Sequence, residues 1–251
     1  MGLLANIIFV QTINRITLMH KFQKFIVLSC IVVSVIVFPD NCKSQSLSGV
    51  TGLITIPTAR MQKDGTLSFG ISYFDRKHQV YFDGTKDVGH AYINLTILPF
   101  LELVFRANRP LNYQTVHEYT VDRTPMVRVR LFNETKYFPS IVVGIHDFAS
   151  TSSWGTVYFN ATYFVMSKKV QDFDFHMGYA PRIMKAQAYQ LDGLFGGLAY
   201  TPHKAVSIFA EYDSKTVNSG VEFHFLKHFG ISLATINFDS YAAGMNYKVF
   251  L

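Results

Sequence analysis

Residues 155–169, GTVYFNATYFVMSKK, place Val157, Phe159, Ala161, Tyr163 and Val165 in alternation with Tyr158, Asn160, Thr162 and Phe164. A side-chain period of two belongs to an extended strand, whose backbone N–H and C=O groups then need partners on both sides. The rest of the chain supplies them. Twelve runs rich in Val, Ile, Phe, Tyr and Thr read as strands, at about 67–74, 89–98, 100–108, 125–132, 140–147, 156–166, 172–180, 194–201, 205–213, 216–225, 228–237 and 241–251. No helical period of comparable length competes with them.

The connections sort by length. Long segments at 75–88, 109–124, 148–155 and 181–193 alternate with short ones at Pro99, 133–139 and 167–171, and every connection after residue 201 is short. Alternating long loops and short turns are the pattern of an outer-membrane barrel. A soluble barrel also alternates apolar and polar residues, so the second face of the strands discriminates. It carries Glu102, Arg106 and Asn108, then Arg128 and Arg130, His146, Asn160 and Thr162, Asp172, Asp174 and His176, Glu211, Asn218, Glu222 and His224, and Asn246 and Lys248.

A water-facing surface would carry a dense mixture of Lys and Glu. Here only 16% of residues are charged, and Gly, Ala, Ser, Tyr and Phe separate the ions. That suits a crowded lumen with lipid outside. The expected fold is an all-β, closed antiparallel transmembrane β-barrel of about twelve strands, roughly ten to fourteen. Tyr73, Phe74, Tyr163, Phe164, Tyr200, Tyr212, Tyr241 and Tyr247 are expected in the interfacial aromatic girdles. Outer-membrane lipid is then the first partner.

Upstream of the strands, His20, Lys21 and Lys24 precede an apolar run from Phe25 to Phe38 and a polar stretch, which is the layout of a secretory signal. The expected division is 1–44 as upstream extension and signal peptide, with Met19 the true start and cleavage between Ser44 and Gln45, then 45–66 as an entry segment and 67–251 as the barrel. Cys42 raises a lipoprotein alternative, but the preceding FPDN lacks the leucine and the small residue of a lipidation signal. With Cys30 in the signal, the exported chain holds no thiol. Removing Arg15, Lys21, Lys24, Lys43 and Asp40 leaves 19 basic and 16 acidic residues, with no basic stripe, so no nucleic acid partner is expected. Within 45–66, Pro57 and Gly65 interrupt any ladder, so this segment either folds into the lumen as a plug or lies beneath the barrel.

Catalytic signatures are absent: no G-x-S-x-G elbow, glycine-rich phosphate loop or H-E-x-x-H helix occurs. His224 and His228 are separated by a strand end and a turn. His146 and Asp147 are the one candidate acid/base pair, and as strand neighbours they point to opposite faces unless Asp147 already belongs to the loop. No enzyme activity, cofactor or metal is expected; an outer-membrane enzyme using His146 and Asp147, or an adhesive barrel displaying its long loops, is the alternative. The lumen is the better candidate site. Arg106, Arg128 and Arg130 are expected to form a basic wall facing Glu102, Asp172, Asp174, Glu211 and Glu222, either neutralising one another or contacting a glycan.

Three segments carry a family resemblance. TGLI with PTARM and the following Asp64 and Gly65, which includes Gly52, Pro57 and Arg60, is the first. Gly144, Asp147 and Phe148 with Ser167 and Lys168 form the second, and Glu211, Tyr212 and Asp213 with Asn218 and Gly220 the third. Together they resemble the YjbH family of outer-membrane β-barrel proteins linked to exopolysaccharide biosynthesis and export. The resemblance implies a Gram-negative outer-membrane protein; with the absence of catalytic signatures, the expected role is a non-enzymatic one in polysaccharide production or export, with polysaccharide and other export proteins as partners.

Overall fold

The computed structural model describes residues 43–78, 87–111, 121–149, 159–186 and 188–251; nearly all of the predicted signal, and the predicted strand residues Val157 and Tyr158, fall outside them. Thirteen strands follow in order: β1 (Thr66–Phe74), β2 (Val88–Leu98), β3 (Leu101–Pro110), β4 (Asp122–Phe132), β5 (Ser140–His146), β6 (Phe159–Val170), β7 (Phe173–Ala180), β8 (Ala188–Tyr189), β9 (Gly193–His203), β10 (Val206–Tyr212), β11 (Val217–Phe225), β12 (Phe229–Ile236) and β13 (Ser240–Phe250). All but the two-residue β8, which pairs parallel to β6, form one antiparallel ring. The pairing of β5 with β6 and of β1 with β13 closes it. Twelve wall strands bring both ends of the ring to the side where the short turns lie, as a barrel with an even strand number must.

The two faces are inverted relative to a water-soluble barrel. Ile71 (57% exposed), Met177 (58%) and Leu194 (60%), with Phe105, Phe175, Phe223 and Leu233, point outward. Among the described residues, Arg128 and Lys248 are the largest fully buried side chains. Exposing this apolar band to water would be unfavourable at about 25 cal/mol per Å², whereas in hydrocarbon it matches its solvent. Closure is equally required there, because an unpaired strand edge has no water to bond. Stacked rings mark both rims: Tyr73 with Tyr241 at 5.6 Å by the long loops, and Phe173 with Tyr200 at 4.8 Å by the short turns.

Several orientations differ from expectation, for one reason. On β6 the inward set is Ala161, Tyr163 and Val165, while Thr162 and Phe164 face out. A lumen was expected to be polar, but this one holds an apolar segment of the chain's own N-terminal part, and the apolar face of β6 packs on it. Leu53, Ile54, Ile56 and Ala59 share one core cluster with Tyr163, Val165, Phe195 and Phe209. Phe74 and Tyr163, expected in the girdles, are buried inside. Asn160 is covered instead by β8 and its flank, with Gln190 N–H donating to its carbonyl oxygen at 3.2 Å. The strand also runs further than expected: Ser167 and Lys168 pair with His176 and Phe175, so the turn lies beyond Val170.

Inward rings lie on directly paired glycines. Gly144 pairs with Tyr163 and Gly70 with Tyr92, and a Cβ built on Gly144 would sit 2.5 Å from the Tyr163 ring. Gly144→Val should therefore drive the ring out of its rotamer and cost about 1–3 kcal/mol, read as a lower temperature for the heat-induced mobility shift of the barrel on gels. An unchanged transition would show that the ring has slack.

Candidate functional site

The lumen is occupied by residues 45–62. Pro57 and the turns around it keep this segment out of the wall, and it folds back on itself. Leu47 N–H donates to Ile54 O at 2.8 Å, Leu53 N–H to Ile56 O at 3.1 Å and Thr58 N–H to Thr51 O at 3.2 Å. Gly52 is needed here because a Cβ would lie 2.3 Å from Ile56 O. Three apolar side chains then enter sockets in the wall that glycines leave open: Leu47 at Gly244 on β13, Leu53 at Gly197 on β9 and Ile54 at Gly220 on β11.

Buried wall groups complete the hold. Glu211 on β10 accepts from Ile54 N–H at 2.9 Å, Thr55 N–H at 2.8 Å and Thr55 Oγ1–H at 2.6 Å. Glu102 on β3 accepts from Thr51 N–H at 2.8 Å and Thr51 Oγ1–H at 2.7 Å. The Glu102 carboxylate is also 2.8 Å from the Arg128 guanidinium, both side chains fully buried, and Arg128 donates in turn to the carbonyls of Thr58 and Arg60. Ser167 Oγ accepts from Ala59 N–H at 2.7 Å, and Ser140 Oγ–H donates to Ala59 O at 2.9 Å. The N–H groups of Thr51, Ile54, Thr55 and Ala59 and the carbonyls of Thr58, Ala59 and Arg60 thus find partners on the wall, as burial demands.

At the short-turn end Arg60 acts as a latch. Its Nε and Nη2 donate to Asp174 at 2.7 and 2.6 Å, a bidentate pair, and its Nη1 to Glu134 at 2.5 Å. Burial would push the Glu134 carboxyl up, but the Lys169 amide and the Arg60 guanidinium hold it below the usual carboxylate range. A depressed carboxyl contributes stability that is present above its unfolded value, near pH 4.3, and that disappears as pH falls through the lower folded value. Protection of the Ala59 and Arg60 amides, measured against their intrinsic exchange rates at each pH, should therefore be high at neutral pH and fall below about pH 4; protection that is flat down to pH 3 would contradict the latch.

The expected basic wall is not formed as such. Arg128 lies directly opposite Glu102 across the β3–β4 ladder and is neutralised by it. Arg130, at the end of β4, donates to Pro99 O at the mouth. Asp172 is exposed in the turn before β7, whereas Asp174 binds Arg60. Arg106 is buried on β3, and Glu222 on β11 accepts from Asn246 at 3.2 Å with His224 at 3.7 Å. Of the motif residues, Gly65 takes a positive φ of 71° and accepts from Leu251 N–H at 2.9 Å, and Asp64 is exposed beside it. Asp213 ties its own turn together through Lys215 N–H, Thr216 N–H and Asn218, while Asn218 Nδ2–H also donates to Glu211 at 3.1 Å. The third motif thereby orients the carboxylate that grips the lumen segment.

His146 and Asp147 do not act on each other. His146 is 3.2 Å from both Gln190 and Tyr163, whereas Asp147, already beyond β5 with φ 52°, accepts from Phe159 N–H at 2.8 Å. Among the described residues no group of three or more His, Cys, Asp and Glu side chains is arranged to hold a metal. Glu211 and Ser167 stood in the family-like segments and Glu211 also in the expected lumen set, but nothing in the sequence marked them, or Ser140, as anchors of the lumen segment.

Residues 44–191 match the family model YjbH, described as exopolysaccharide biosynthesis protein YbjH. The chain is 32% identical over 142 residues to the uncharacterized lipoprotein YjbH of Escherichia coli (strain K12), a match that covers 54% of this chain and 18% of that protein. The chain thus spans less than a fifth of that relative. Among solved structures it is similar to a KdgM porin in complex with disordered oligogalacturonate, at 14% identity, 72% of this chain, 98% of that one and a TM-score of 0.46. It is also similar to the NanC porin, at 10% identity, 74% and 99% coverage and a TM-score of 0.45.

Proposed function

The chain belongs to the YjbH family of exopolysaccharide biosynthesis proteins, and from that premise we propose that it is an outer-membrane barrel with a non-enzymatic role in exopolysaccharide production or export. The observation that carries this reading is a lumen lined by buried ions and closed by the chain's own residues 45–62. Such an interior admits nothing wide while the segment is seated, and it is built to hold that segment through groups that serve equally well for hydroxyls. The apolar outer band and closed ladder support an outer-membrane location, with lipid, polysaccharide and other export proteins as partners.

Deleting the gene and assaying surface and secreted glycan tests this, with membrane fractionation as control. The expected result is an outer-membrane protein whose loss lowers exported polysaccharide. Unchanged glycan, or recovery of the protein in water without detergent, would overturn it.

A further inference from the structure

One chemical arrangement occurs twice in the lumen. Glu102 takes the N–H and the Oγ1–H of Thr51, one on each carboxylate oxygen, at 2.8 and 2.7 Å. Glu211 takes the N–H and the Oγ1–H of Thr55 at 2.8 and 2.6 Å, both on Oε1, while its Oε2 accepts from Ile54 N–H at 2.9 Å. In both, a buried carboxylate accepts from two donors that sit on adjacent carbons of one residue. A vicinal diol of a sugar ring presents a similar pattern, two O–H donors on adjacent carbons, and a carboxylate can accept them on its two oxygens, as at Glu102, or on one, as at Glu211.

We propose that Thr51 and Thr55 stand in for sugar diols at two hydroxyl-binding stations, and that the polymer these stations recognise when residues 45–62 withdraw is a neutral, hydroxyl-rich glycan. This rests on the role in exopolysaccharide production or export proposed above.

A second observation points the same way. Ser68 Oγ, Asn94 Oδ1, Thr96 Oγ1, Glu222 Oε2 and Asn246 Oδ1 are buried and without hydrogen-bond partners. They lie on β1, β2, β11 and β13, strands that neighbour one another or are one strand apart, and all face inward. Asn94 Oδ1, Glu222 Oε2 and Asn246 Oδ1 only accept, whereas the Ser68 and Thr96 hydroxyls both donate and accept, so the unfilled capacity of this wall suits sugar hydroxyls, which do both. An acidic polymer would bring carboxylates against Glu102, Glu211 and Glu222 in a poorly screened interior. Among the described inward cations, Arg128 is paired with Glu102 and Arg60 with Asp174 and Glu134, while Lys248 Nζ–H donates to Lys43 O and Arg106 is buried on β3.

Amide hydrogen exchange on the full chain in lipid nanodiscs tests the assignment, with maltoheptaose and heptagalacturonate added at equal concentration. Maltoheptaose should compete the segment off and accelerate exchange at Thr51 and Thr55 by about tenfold or more, while heptagalacturonate leaves both unchanged. The double variant Thr51→Val with Thr55→Val should bind maltoheptaose at about tenfold lower concentration than the parent. Glu211→Gln added to it should remove most of that gain. No acceleration by maltoheptaose in the parent chain, or equal acceleration by both oligosaccharides, overturns the proposal. If that occurs while the deletion strain still loses exported glycan, the stations are wrong and the export role stands.

Discussion

Arg128→Ala should destabilise the barrel by about 3–5 kcal/mol, the range for removing one partner of a fully buried ion pair. The loss arises less from the 2.8 Å contact itself than from what it leaves: a Glu102 carboxylate with no cation, and carbonyls of Thr58 and Arg60 without their donor. The urea midpoint of the folded-to-unfolded mobility shift measures it. Replacing both partners, Glu102→Leu with Arg128→Met, should recover part of the loss, because no buried charge then remains. A shift under about 1 kcal/mol for Arg128→Ala would mean that water reaches the pair and that this part of the interior is wet.

Glu211→Ala should release the lumen segment without a comparable loss of the wall. It orphans the N–H groups of Ile54 and Thr55 and the hydroxyl of Thr55, each at about 1–3 kcal/mol when buried and unpaired. Even at the low end the sum shifts the local opening equilibrium by about a hundredfold. Amides between Leu47 and Thr58 should exchange faster by that factor while the ladder of β1 to β5 stays protected, and ion conductance should appear in planar bilayers. Glu211→Gln, which keeps one acceptor oxygen, should fall between. Protection of the segment that survives Glu211→Ala would assign the hold to the apolar sockets at Gly197, Gly220 and Gly244 instead.

The wall was legible because its physics is local. A period of two, turn residues at the ends of the runs and alternating connection lengths located all twelve wall strands within a few residues. Some turns were less legible: Leu226 and Lys227, and Asn237 and Phe238, adopt positive φ without glycine, so the tightness of those hairpins has no signature in composition. The inward phase of Glu102, Arg106, Arg128, Glu211, Glu222 and Lys248 was readable from alternation alone. What each one meets was not, because decisive partners are distant in the chain: 26 positions separate Arg128 from Glu102, and 157 separate Glu211 from Ile54. The misassigned face of β6 has the same origin. Alternation gives two faces and no labels, and the label depends on which segment fills the interior.

The seam between β1 and β13 joins the first and last strands of the wall, and the lumen segment leads directly into β1 at Gly65. This imposes an order of events on biogenesis. Once the cylinder has shut, residues 45–62 have only its mouths as a route inward, past the Arg60 latch at one of them. Insertion is simplest if the leading segment is already lying against the curved, still open sheet when the final hairpin arrives, so that the last strand seals it in.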